Sequence, residues 1–337
     1  MSKVIERLLK IVPLNLSIFL GFILLTTSCS VSKIKYGQNT IDLNHGEVLY
    51  FLEQGSPNSD ILLLAFQGSD CNSVLNAKFI ENVRTHFRPM DLLFIEKPGI
   101  TPSLAYDPNP ERDDCPPQYL EQDNPQRRAE DALAVIHAVQ SKREYKNIVV
   151  LGGSEGGLVA VLVAAKSDEV NAVISINAGG AYFIDDVLHN IRATSPPEKL
   201  EEELAGFKGF ASHVADSEPS PLVVSNHGFL WWQVALGLDQ SEFLKRIQAP
   251  VLIIQSENDE SVSPAHTMEM FNNLQELGYG NIELLTYANL NHALTDSDGK
   301  SHVSEVLNDA NNWLNRVLLR SLRLCAKKKS VSFSCCT

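Results

Sequence analysis

From Glu47 onward the chain alternates short apolar runs with longer segments in which apolar residues recur at helical spacing. Val48 to Leu52, Ile61 to Phe66, Leu92 to Ile95, Ile148 to Leu151, Ala172 to Ile176, Val251 to Ile254 and Ile282 to Leu285 read as strands. Several of these are continuous Ile/Val/Leu runs rather than alternating ones, as expected for strands buried on both faces. Between them Ala129, Leu133, Ile136 and Val139 to Gln140 repeat with the period of a helix, and so do residues 265 to 277 and 303 to 318. The pattern predicts an α/β fold, a mostly parallel sheet covered by helices. No internal repeat is visible.

Two stretches interrupt this rhythm. The connection from Arg88 to Asn124, beyond its strand at residues 92 to 95, is acidic and carries Pro108, Pro110, Pro116 and Pro117, so it reads as loop. The segment from about Ala181 to Lys245 is broken by Pro196, Pro197, Pro219 and Pro221 into helical pieces and contains Trp231 and Trp232. It is expected to be a lid inserted over the sheet, the alternative being ordinary surface helices. The main domain is therefore expected over residues 47–320, with residues 29–46 as a linker before it and residues 321–337 as a basic, cysteine-containing tail.

Composition adds the size and setting. At 337 residues, 44% hydrophobic and 20% charged, the chain can bury the core of one large soluble domain. Lys3, Arg7 and Lys10 precede an uncharged apolar run from Leu14 to Leu25 that is too short to span a bilayer comfortably, so residues 1–28 read as an export signal. The following Thr-Thr-Ser-Cys resembles a bacterial lipobox, with Thr26 where leucine is usual. That resemblance implies lipidation of Cys29 and a membrane-anchored lipoprotein of the cell envelope, sorted by Ser30 to the outer membrane; a simple secreted or periplasmic protein is the alternative. Removing residues 1–28, with three basic side chains and one acidic, takes the net charge from −13 to −15. So acidic a surface excludes nucleic acid as the expected partner. Arg316, Arg320, Arg323 and Lys327 to Lys329 make the tail an exception, either a solvated extension or a contact with an anionic membrane surface.

Candidate chemistry begins at Val149-Val150-Leu151-Gly152-Gly153-Ser154-Glu155-Gly156-Gly157-Leu158. An apolar strand runs into glycines around one serine, and a small-residue helix runs out. Such a serine can stand at the tip of a sharp strand-to-helix bend, with small neighbours letting strand and helix approach. A serine hydroxyl needs a base to take its proton and a third group to orient that base. Downstream, Val251 to Gln255 leads into the acidic loop Ser256-Glu257-Asn258-Asp259-Glu260, and Leu284 to Tyr287 leads into Ala288-Asn289-Leu290-Asn291-His292. In a parallel sheet these loops leave the carboxyl ends of their strands and emerge on one face.

Over residues 47 to 320 the chain resembles the α/β-hydrolases, with GGSEG similar to their nucleophile elbow, IIQSENDESVSP to their acid loop and ANLNHAL to their histidine loop, in that chain order. The resemblance implies an eight-stranded sheet with a helical lid. It implies Ser154 as nucleophile, His292 as general base and acid, and Asp259 as its orienting carboxylate, with Glu257 and Glu260 as rival acids. It also implies oxyanion donors at the Glu155 N–H and at Ser69 in Phe66-Gln67-Gly68-Ser69, with Gly68 next in line; Gln67 stands where the family frequently has histidine.

The Glu155 carboxylate is expected only to complement the start of a helix. His266 and His302 are expected on helices, as surface or capping residues. Whether Lys97, in Glu96-Lys97-Pro98-Gly99, faces substrate is left open. Cys71 and Cys115, both near this face, are expected either as a disulfide or as two buried thiols. The implied activity is hydrolysis of an ester, thioester or amide of a small-molecule or peptide acyl substrate, with neither metal nor organic cofactor. The alternative is a non-catalytic surface lipoprotein that binds a small molecule or a protein.

Overall fold

The computed structural model describes residues 37–109 and 112–332, with side chains through residue 319. The expected signal, Cys29 and residues 30–36 of the expected linker lie outside these residues. An eight-stranded sheet forms the centre. Its strands are β1 (Gly37–Leu43), β2 (Gly46–Glu53), β3 (Ile61–Phe66), β4 (Asp91–Ile95), β5 (Asn147–Gly153), β6 (Val170–Ile176), β9 (Val251–Ser256) and β10 (Ile282–Tyr287), in the spatial order β1-β2-β4-β3-β5-β6-β9-β10. A two-stranded hairpin, β7 (Val223–Val224) and β8 (His227–Gly228), lies apart from it. All neighbours from β4 to β10 are parallel, whereas β1 and β2 run antiparallel at one edge.

The helices are α1 (Lys78–His86), α2 (Pro117–Gln122), α3 (Pro125–Gln140), α4 (Glu155–Lys166), α5 (Phe183–Thr194), α6 (Leu200–Asp216), α7 (Phe229–Gly237), α8 (Gln240–Leu244), α9 (Pro264–Glu276) and α10 (Val303–Ser332). Continuous apolar strands are used on both faces, one residue to each side in turn. Leu62, Leu64, Val150, Val173 and Ile253 pack against Ala132 and Ile136 of α3 and Val159 and Val163 of α4. Their neighbours Leu63, Val149, Leu151, Ile174 and Ile254 pack on the other side against Ile80 and Val83 of α1 and Val306, Ala310 and Trp313 of α10.

The structure departs from the sequence expectation in four places. Residues 37–43, expected as linker, form β1, an edge strand that is largely polar and exposed, with only Ile41 and Leu43 packing against the core, too short an alternation to stand out as a strand. Residues 78–86, to which no element is assigned from sequence, form α1. Inside the proline-rich connection the six-residue α2 starts at Pro117, because proline is tolerated in a first helical turn, where the missing N–H has no partner to lose. Helix α10 continues to Ser332, past the point where the tail is expected to begin.

Between β6 and β9 an insertion folds as α5, α6, the β7–β8 hairpin, α7 and α8. It has its own aromatic core, in which Trp231 and Trp232 meet edge to face, Phe183 packs on Trp231, and Phe210 packs on Trp232. Gly228 marks its closest approach to α2, because an added Cβ would lie 1.7 Å from the Leu120 carbonyl oxygen. Among the described residues no helix is long and apolar enough to cross a membrane.

Candidate active site

Ser154 stands between the end of β5 and the start of α4, with φ 54° and ψ −132°. A left-handed φ on a non-glycine residue costs of order 1–3 kcal/mol and persists only where the surroundings impose it. They do so here. The Ser154 N–H donates to the Ile176 carbonyl at 2.8 Å, and an added Cβ on Gly152 would lie 2.0 Å from the Gly156 carbonyl oxygen. Strand and helix are pressed together as the glycine spacing predicts. Serine at a helix N-cap ordinarily spends its oxygen on capping the helix, but the Ser154 hydroxyl makes no capping bond. The strained turn thus presents an uncommitted hydroxyl.

The acid and histidine loops meet as well. Asp259 is buried, and its Oδ2 lies 2.8 Å from His292 Nδ1, while its Oδ1 accepts from the N–H groups of Ser261 and Val262. A carboxylate bonded this way fixes the imidazole tautomer and leaves Nε2 to exchange protons. Glu257 and Glu260, the rival acids, are exposed. Asn177 joins the loops: its side chain donates to the His292 carbonyl at 3.0 Å and to the Ser256 hydroxyl, directly after Ile176, which holds the Ser154 N–H. His266 lies in the first turn of α9, and His302 is held between Asp296 and Glu305; neither joins the Asp259–His292 pair.

The loop after β3 packs against Ser154, since an added Cβ on Gly68 would sit 3.8 Å from Ser154 Oγ. Its backbone carbonyls are gripped one after another. Arg128 Nη2 donates to the Gln67 carbonyl at 2.8 Å, Lys97 Nζ to the Gly68 carbonyl at 2.6 Å and also to that of Asp70, and the Tyr119 hydroxyl to that of Ser69 at 2.7 Å. The Gln67 side chain turns inward and donates to the Asn72 carbonyl. Glu96 accepts from the Ser73 hydroxyl and the Val74 N–H, and burial pushes its carboxyl up to about 6 against those bonds. Cys71 and Cys115 form a disulfide with their Cα atoms 5.9 Å apart, tying the same loop to the segment before α2.

Lys97 therefore faces the loop's backbone. The Glu155 carboxylate stands in the first turn of α4, as expected, but does more than complement the helix start: it is 6% exposed, paired with Arg128 and bonded by Trp231 Nε1 at 2.8 Å. Burial pushes this carboxyl up, but Arg128 and Lys97 outweigh it and hold the group below its usual range. His227 stacks on Trp231 with ring centroids 3.7 Å apart, and burial drives its ring down to about 3, so it is neutral.

Beside Ser154 lies a cavity of about 80 Å³, walled by Ser69, Glu155, Leu158, Phe183, Asp186, Trp231 and Ala235 among others. Ser69, Phe183 and Trp231 also border a second cleft of about 360 Å³, which carries Asp70, Tyr106, Asp107 and His227. From sequence, Arg128 and Asp186 are missed as parts of this site, Lys97 is left open, and Trp231 is a candidate pocket aromatic of the insertion. The one signal was the charged pair Glu96-Lys97 directly after the apolar run Leu92 to Ile95, at the sheet's carboxyl edge. Among the described residues no group of three or more His, Cys, Asp or Glu side chains could hold a metal ion.

Residues 130–296, which include Ser154, Asp259 and His292, match the family model described as "BAAT / Acyl-CoA thioester hydrolase C terminal". A search of curated protein sequences gives no match. Among solved structures, Est1E from Butyrivibrio proteoclasticus is similar over 84% of this chain and 99% of its own, at 16% identity and a TM-score of 0.57. The Pyrococcus furiosus esterase Pf2001 is similar over 86% and 91%, at 13% identity and a TM-score of 0.56. An acylaminoacyl peptidase from Pyrococcus horikoshii is similar over 83% of this chain but only 41% of its own, at 12% identity and a TM-score of 0.55. The chain has the α/β-hydrolase fold.

Proposed function

We propose that the protein is a serine hydrolase that cleaves an ester, thioester or amide through an acyl-enzyme on Ser154. The observation that carries this reading is the combination of a strained, uncapped serine with a hydrogen bond from His292 to the buried Asp259, all on strand-end loops of one sheet. Ser154 Oγ attacks the substrate carbonyl as His292 Nε2 takes its proton, and the tetrahedral oxyanion is met by backbone N–H groups of Glu155, Ser69 and Gly68. The oxyanion collapses, the bond to the leaving group breaks, and His292 returns the proton to that group. Water then attacks the acyl-serine with the same histidine as base, releasing the acid and restoring the serine. Asp259 keeps the imidazole oriented and balances its charge throughout.

The family description and the similar esterases support an ester or thioester, and the similar peptidase keeps an amide within the reading. The helical insertion acts as a lid whose Phe183 and Trp231 close over the acyl group. The enzyme is exported and anchored in the bacterial envelope through lipidated Cys29, a reading that rests on the signal-like residues 1–28.

A fluorophosphonate probe should label the wild-type protein and fail to label Ser154→Ala, which should also lose esterase activity by several orders of magnitude. Equal labelling of the two proteins removes Ser154 from the mechanism. No labelling of the folded wild type favours the binding-protein alternative.

A further inference from the structure

The oxyanion loop is held from behind by two buried cations, Lys97 through backbone carbonyls alone and Arg128 through a carbonyl and a carboxylate. Lys97 is 3% and Arg128 7% exposed. Lys97 directs bonds to the Gly68 and Asp70 carbonyls, although Asp123 is near enough to influence its charge and has two buried carboxylate oxygens with no hydrogen-bond partner. Arg128 reaches the Gln67 carbonyl with one nitrogen and the Glu155 carboxylate with another. One guanidinium therefore connects both backbone segments expected to supply oxyanion donors.

We propose that Lys97 and Arg128 are positioning residues of the oxyanion site, each fixing and polarising a peptide unit whose opposite end donates to the reacting oxygen. In a trans peptide the C=O and the following N–H point in opposite directions. A cation holding the Gly68 oxygen thereby fixes the direction of the Ser69 N–H, and one holding the Gln67 oxygen does the same for the Gly68 N–H. A hydrogen bond to the carbonyl also strengthens the N–H as a donor through bond cooperativity. The donors are oriented before substrate arrives, so no reorganisation is needed as negative charge develops. The role rests on the serine-hydrolase reading above and adds to it which side chains make the backbone donors effective.

The lysine makes this role pH-dependent. Facing it are Arg128 from α3, Asp123 just before α3, Glu155 from α4, Asp70 in the loop itself and the Tyr119 ring of α2; Glu96 precedes it in the chain. Burial and then Arg128 lower the Lys97 ammonium below its ordinary value, while Asp123, Glu155 and Asp70 oppose them. The Tyr119 hydroxyl is pushed well above its ordinary value, so it does not titrate in the same range. Loss of the Lys97 proton removes the positive charge and so weakens the hold on, and the polarisation of, the Gly68 carbonyl.

The test uses the wild type, Lys97→Met and Lys97→Arg as full chains, checked for folding by circular dichroism. Fluorophosphonate labelling of the wild type comes first, and its failure would count against the hydrolase reading itself. With a short p-nitrophenyl ester, Lys97→Met should lose roughly 10²-fold in kcat, the scale of removing one oxyanion donor, with KM within about twofold. A trifluoromethyl ketone, whose adduct carries the oxyanion, should lose affinity by the same factor. Lys97→Arg should recover most of kcat and carry it to higher pH than the wild type. The inference is overturned if labelled wild type and folded Lys97→Met have equal kcat, or if the ketone binds both equally. If neither variant folds, the wild type decides: kcat should fall through one ionisation below the ordinary lysine value of 10.5 with the circular dichroism unchanged, and a kcat flat to that pH overturns it.

Discussion

Ser154 and Asp259 show how much of a reacting group's behaviour is set by its backbone and neighbours. The serine is held at φ 54° by glycines whose missing side chains let strand and helix touch, and its oxygen is left out of helix capping. Asp259 is distinguished from Glu257 and Glu260 by burial and by three hydrogen bonds, a difference that loop composition does not encode. Asp259→Asn keeps the shape but lets the amide donate where the carboxylate accepted, favouring the wrong imidazole tautomer. It should lower kcat by about 10⁴-fold with little change in fold, measured by steady-state kinetics alongside circular dichroism. Ser154, Asp259 and His292 were legible in sequence because each follows an apolar strand in a recognisable turn. Lys97, Arg128 and Glu155 were not, because their partnership joins three segments distant along the chain.

At the scale of elements, the parallel core from β3 to β10 was readable because strands buried on both faces need uninterrupted apolar runs. Edge strand β1 escaped because a half-exposed strand tolerates Gln38, Asn39 and Asp42, and α2 escaped because its prolines signal loop unless one happens to start a helix. The insertion is fastened to the site by polar contacts: Asp186 on α5 accepts from the Ser263 N–H at 2.8 Å, and His189 bonds the Asp259 carbonyl.

Burial pushes the Asp186 carboxyl up to about 7, from an ordinary value of 3.8. Between those values the folded protein binds the proton that the unfolded chain releases. The stabilisation is therefore complete below about pH 3.8 and lost as pH rises through 7. Asp186→Asn should flatten the fall in Tm between pH 5 and 8 in scanning calorimetry. An unchanged slope would exclude this carboxyl as a source of that fall.

For the molecule as a whole, charge bears on the choice of leaving group. The chain carries a net charge of −13, and Asp70 and Asp107 lie in the cleft adjoining the cavity beside Ser154. Arg112 also borders that cleft, but its guanidinium is engaged by Asp114, Asn72 and the Ala105 carbonyl. A coenzyme A thioester would bring several phosphate charges to this surface. The same acyl group on N-acetylcysteamine should therefore show the higher kcat/KM, with the difference shrinking as salt screens the repulsion. A preference for the coenzyme A ester at low salt would instead place its phosphates on a basic surface elsewhere.

The central claim is covalent chemistry at Ser154, and rapid quenching of the enzyme with p-nitrophenyl acetate followed by peptide mass mapping tests it most directly. One acetyl group per chain is expected on the peptide containing Gly152-Gly153-Ser154-Glu155, absent from Ser154→Ala. Nitrophenol release without that adduct, or with the acetyl group on another residue, would contradict it.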